Sequence, residues 1–135
     1  MRKGSLDKQG KILAFAAVME VTTGLALAID PSLVVTWLVG MEVSGVGTAV
    51  GRCFGITLLA LGLACWPDPK RAGGDATSRG MLAYNALIAF YLTFLGTVRH
   101  VGGRLLWPAI VLHAVVALLL VLTWRGKRST RAADK

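Results

Sequence analysis

The chain has 135 residues, room for one domain, with 55% of them hydrophobic and a formal net charge of +8. A mean hydropathy of +0.63 excludes an ordinary soluble composition. The basic residues gather at the ends of apolar runs and in a tail, which excludes a nucleic-acid interface and matches the signals that set membrane topology.

Residues 1–11 are polar and basic, and from Ile12 to Ile29 the chain is apolar apart from Glu20 and two threonines. That stretch reads as a first spanning helix ending at Asp30-Pro31. The same residues also fit a secretory signal peptide, with Ala26-Leu27-Ala28 as the cleavage site. Glu20 and the length of the run favour the span. Leu13, Ala16, Ala17, Glu20, Thr23, Gly24 and Leu27 share one helical face. It is the small-residue face, so Glu20 points into a bundle, near the middle of the span.

Pro31 to Ser44 is too short to cross a bilayer and reads as an interfacial turn or short helix. The second span runs from about residue 47 to 66. Gly47, Gly51 and Gly55 recur every four residues there and Gly62 continues their side, making a groove for close helix packing. Arg52 lies in that stretch, about one long side chain from the level of Glu20. Cys53 and Cys65 are about 18 Å apart along the axis, too far to pair or to share a metal.

Residues 67–80 form a polar loop rich in turn residues. The third span, 81–98, carries no charge, with Asn85 nearer its loop end and Tyr91 central. The fourth, 105–124, has Pro108 in its first turn and His113 at a depth like that of Glu20. Residues 125–135 are a basic tail suited to anionic lipid. Twelve basic residues fall at the N-terminus, in the 67–80 loop and in the tail, against Arg99, Arg104 and the embedded Arg52 on the other side. This asymmetry predicts an all-α, four-transmembrane-helix bundle with both termini cytoplasmic, in a bacterial inner membrane.

The buried polar residues admit two readings. In the functional one, Glu20 carries a proton or accepts a cation, His113 titrates beside it, and Arg52 is an anion anchor, with Tyr91 and Asn85 near the site. In the structural one, Glu20 and Arg52 form an ion pair that holds two helices together, and His113 bonds a carbonyl. No second histidine stands at matching depth for haem. Nucleophile–base pairings, phosphate loops, metal-ligand spacings and dinucleotide fingerprints are missing, so no cofactor or metal is expected and an enzyme is not the first expectation.

Pro31-Ser32-Leu33, the apolar segment after it, Gly51-Arg52-Cys53-Phe54-Gly55, the Leu59–Gly62 run and Trp66 resemble small four-helix bacterial membrane proteins of the DoxX-like type. Some of those are linked to quinone-dependent oxidation as accessory membrane subunits. Glu20-Val21-Thr22 is similar to the first helix of the small multidrug resistance transporters, which carry one essential glutamate there. Three functions follow as expectations. The first is a non-enzymatic accessory subunit or homo-oligomer packing through the glycine groove in a larger membrane complex. The second is a small proton-linked carrier using Glu20, and the third a redox subunit near quinone.

Overall fold

The computed structural model describes residues 8–68 and 74–133, and within them the chain is helical with no strand. Five helices follow in order: α1 (Lys8–Ile29), α2 (Pro31–Val39), α3 (Val46–Ala64), α4 (Gly74–Thr97) and α5 (Leu106–Ala133). In α1, α3, α4 and α5, stretches of 19 to 22 residues are long and apolar enough to cross a membrane, which points to a multi-pass membrane protein.

The short helix α2 has its boundaries written in the sequence. The Asp30 carboxylate accepts from the Leu33 N–H at 3.0 Å, Pro31 occupies the first helical position, and Gly40 closes the helix at φ 77°. These are the usual polar cap, proline start and left-handed glycine stop. The expectation of a turn or short helix over 31–44 resolves as a helix ending at Val39.

Two expectations about helix length are corrected. Residues 74–80 are not loop: α4 begins at Gly74, so only its first part, 67–68 among the described residues, is irregular. The polar run GDATSRG contains no proline, and Ser78 packs inward. Nor does α5 stop at Trp124, for the helix continues to Ala133 through residues that carry basic charge but no helix breaker except Gly126. Arg2, Lys3, Lys70, Arg71 and Lys135 lie outside the described residues.

Two antiparallel pairs make up the bundle, α1 with α3 and α4 with α5. The pairs meet through α1, which touches both α5 and α4. At one end α1 and α4 begin and α3 and α5 finish; this is called the basic end below. A shared apolar core fills the basic half, where Leu13, Ala16, Cys65, Met81, Val116 and Leu120 pack together from α1, the end of α3, α4 and α5, with Leu61 of α3 against them. At the opposite end the α4–α5 link lies on α2: the Gly103 N–H donates to the Leu38 carbonyl at 3.0 Å and the Leu105 N–H to the Trp37 carbonyl at 2.8 Å. Glycine at 103 permits this, because a β-carbon there would collide with the Trp37 carbonyl.

The α1–α3 pair is a glycine seam. A β-carbon at Gly55 would stand 2.7 Å from both the Ala28 nitrogen and the Gly24 oxygen, and one at Gly24 would stand 2.7 Å from the Gly55 oxygen. Gly62 lies equally close to Ala17 and Val21, and Gly51 to Pro31. At Gly24 and Gly55 backbone meets backbone, while Gly62 and Gly51 make room for the Val21 and Pro31 side chains. Gly47 is the exception among the stacked glycines: a β-carbon there would meet only the Val43 side chain. The groove thus begins at Gly51, and its occupants are α1 and α2 of the same chain.

Candidate functional site

The inward face of α1 carries Gln9, Gly10, Leu13, Ala16, Ala17, Glu20, Gly24 and Leu27. A 3.6-residue period places them all on one side. Glu20 is 3% exposed, a carboxyl enclosed in the bundle near the middle of its helix. The Tyr84 hydroxyl of α4 donates a hydrogen bond to it. The Tyr84 ring in turn meets the His113 imidazole of α5 edge to face, with centroids 5.9 Å apart and planes at 78°. His113 Nδ1 lies 2.8 Å from Asn85 Oδ1, and Asn85 Nδ2 donates to the Met81 carbonyl at 2.9 Å.

One connected polar cluster therefore spans three helices, Glu20 on α1, Tyr84 and Asn85 on α4, and His113 on α5. It bridges the two helical pairs where their side chains, not their backbones, make contact. Cys65, which caps the end of α3 and is buried in the neighbouring apolar core, is near enough to feel the Glu20 charge. Nearer the basic end, Gln9 Nε2 donates to Ser78 Oγ, a second polar link between α1 and α4. Burying polar groups is costly unless they are bonded, so such links fix which side chains face each other.

The structure brings together three of the five side chains picked out from sequence: Glu20, Asn85 and His113. Arg52 stands apart. It is exposed, and no ion pair joins it to Glu20. The seam explains why, since Gly51 and Gly55 face α2 and α1 and the residue next to Gly51 turns about 100° away. Opposition of Gly51 to Pro31 also sets Arg52 well beyond the level of Glu20. Tyr91 is 55% exposed and outside the cluster.

Tyr84 takes the place that central depth had assigned to Tyr91. The two lie seven residues apart and so point almost the same way. Because α4 starts at Gly74, its middle lies near Tyr84 and Asn85. Gln9 and Ser78 were also hidden from sequence reasoning, the first inside a basic segment and the second inside an expected loop. The available signal was periodicity: Gln9 is one turn before Leu13, and Ser78 one turn before Met81.

Chemically, the cluster can hold a proton on Glu20 or His113, or place a carboxylate and two aromatic rings against a cation. Among the described residues no group of three metal-ligating side chains converges. Comparison with protein-family models, curated proteins and solved structures finds no match for this chain.

Proposed function

We propose that the chain is a four-span protein of a bacterial inner membrane, with both termini cytoplasmic, working as a small proton-linked carrier centred on Glu20. One observation carries the reading: Glu20 is buried in the bundle, bonded by a tyrosine hydroxyl, and no lysine or arginine among the described residues pairs with it. A buried carboxylate used only for packing is normally matched by a cation. One matched by none is suited to exchange, holding a proton in one state and a cationic ligand in another. The likeness of Glu20-Val21-Thr22 to small multidrug resistance transporters agrees with that use.

Threading follows from charge. The basic end gathers Lys8, Lys11, Arg79 and Arg125, while Arg99 and Arg104 flank the α4–α5 link. Exposed Trp37 and Trp107 near the far end and Trp66 near the basic end suit the two interfaces. The many large apolar side chains on the outside, Phe90, Leu118 and Val46 among them, suit lipid. Reporter fusions should place residues 1 and 135 in the cytoplasm and His100 opposite; an external tail would contradict the threading. A mature N-terminus at Ile29 would mean that α1, with its share of the core, is removed.

The direct test uses a lipophilic phosphonium as probe cation with protein in detergent. Wild type should bind it more weakly as pH falls, because protons compete for the same carboxyl. Glu20→Gln should fold and bind none. Equal binding by wild type and Glu20→Gln would overturn the carrier reading.

A second reading, the accessory subunit, draws on Arg52. This guanidinium is exposed on α3 on the same side as Ile56, one turn on, which suits a partner subunit that supplies an acid. Such a subunit would use this face and not the glycine seam, which α1 fills. Co-purification in fixed ratio with a larger complex, lost in Arg52→Gln, would support it. Quinone-linked redox chemistry gains no supporting residue.

A further inference from the structure

Asn85 is 2% exposed, and each of its side-chain polar groups has one partner. One faces the Met81 carbonyl a turn back on α4, at 2.9 Å, and the other faces His113 Nδ1 at 2.8 Å. A main-chain carbonyl only accepts, so the group facing Met81 must be the NH2 end. The reverse orientation would set two carbonyl oxygens against each other in a buried position. The amide oxygen is therefore the atom facing His113, and it too only accepts. The hydrogen between them belongs to His113 Nδ1.

We infer that Asn85 is a positioning residue that holds neutral His113 as its Nδ1–H tautomer and so presents Nε2 as the nitrogen with the free lone pair. Nε2 is then the atom of this ring that takes an incoming proton or a ligand's hydrogen-bond donor. Tyr84 does not use it, because its single hydroxyl proton goes to Glu20. The ring contact with Tyr84 instead fixes the plane in which the imidazole lies. The titratable groups of the cluster beside His113 are Tyr84 from α4, Glu20 from α1 through Tyr84 and, through Glu20, Cys65 at the end of α3; α5 adds no other between Leu106 and Thr123. The arrangement follows the general rule that the partner of one ring nitrogen decides the role of the other.

The role of Nε2 in proton exchange rests on the carrier reading, whereas the tautomer does not. Solid-state nitrogen NMR of the full chain in lipid bilayers, labelled at histidine, reads the tautomer directly. His100→Asn removes the second histidine signal, and asparagine tolerates the φ of 50° found there. Well above the ordinary histidine range, His113 should show a protonated-type Nδ1 and a bare Nε2. Asn85→Ala should release the ring into a mixture of tautomers. Asn85→Asp keeps an accepting oxygen and should retain the Nδ1–H form, which keeps the test decisive if the alanine variant does not fold. A wild-type ring in the Nε2–H form overturns the inference, as does an unchanged spectrum in Asn85→Ala or an Nε2–H ring in Asn85→Asp. A chain that shows the Nδ1–H form while Glu20→Gln binds the phosphonium normally would sink the carrier and leave the tautomer standing.

Discussion

The two seams that α1 makes differ in what they are built from. Against α3 it presents Gly24, Ala17 and Ala28, and glycines 55 and 62 answer with bare backbone. Against α4 and α5 it presents Gln9 and Glu20, which reach polar partners through side chains. Where Gly24 meets Gly55, the nearest contacts of the first seam are backbone atoms, which cannot adjust by changing rotamers. The second is held by hydrogen bonds that can be exchanged for a proton or a ligand. Close glycine packing fixes one helix as a platform, and the polar seam on its other side is where chemistry can change. The membrane setting makes both economical, since glycine is disfavoured in soluble helices yet common where helices approach within lipid.

The largest expected effect breaks the rigid seam. Gly55→Leu drives a side chain into the Ala28 nitrogen and Gly24 oxygen, neither of which can move aside without moving a helix. The loss should exceed the ~1–3 kcal/mol of ordinary overpacking, read as failure to survive detergent extraction or as a steep fall in melting temperature. Gly47→Leu is its control and should cost little. If both variants behave alike, the seam is not where the stability lies.

The polar seam should be more forgiving. Tyr84→Phe removes one interhelical hydrogen bond, worth about 0.6 kcal/mol on average within a membrane. A small drop in melting temperature with a clear change in the pH dependence of cation binding is expected. A large stability loss with unchanged binding would make Tyr84 a packing residue only.

The smallest effect concerns Arg52. In a double-mutant cycle with Glu20→Gln and Arg52→Met, the two changes should add, with coupling indistinguishable from zero, because no ion pair joins these side chains. Recovery of stability in the double mutant would restore the ion pair and reverse the site drawn above.

These outcomes also mark what sequence could tell. The four long helices and the inward face of α1 were legible because the 3.6-residue period ties burial to spacing, and that face carries Leu13, Ala16, Ala17, Glu20, Gly24 and Leu27. The glycine stack was legible for the same reason, but its reach was not. Gly47 continues the spacing one turn beyond the point where α2 leaves the groove, and spacing carries no record of where a neighbour ends. Arg52 was misjudged through depth. A count along one helix says how far a residue lies from an end, while its partner depends on azimuth and on how two helices are offset. Tyr84 was missed for a related reason: helix-compatible polar residues before Met81 moved the middle of α4 by about one turn. Asn85 and His113 were found as residues, but the bond between them depends on how α4 packs on α5, which no single-chain period encodes.

The most direct test of the central claim is proton release on cation binding, followed in weakly buffered detergent solution as the lipophilic phosphonium is added above neutral and below neutral pH. If Glu20 exchanges one for the other, wild type should release about one proton per bound cation where the carboxyl starts protonated, and Glu20→Gln should release none. Cation binding by wild type with no proton released at any pH, or equal release from Glu20→Gln, would contradict the account.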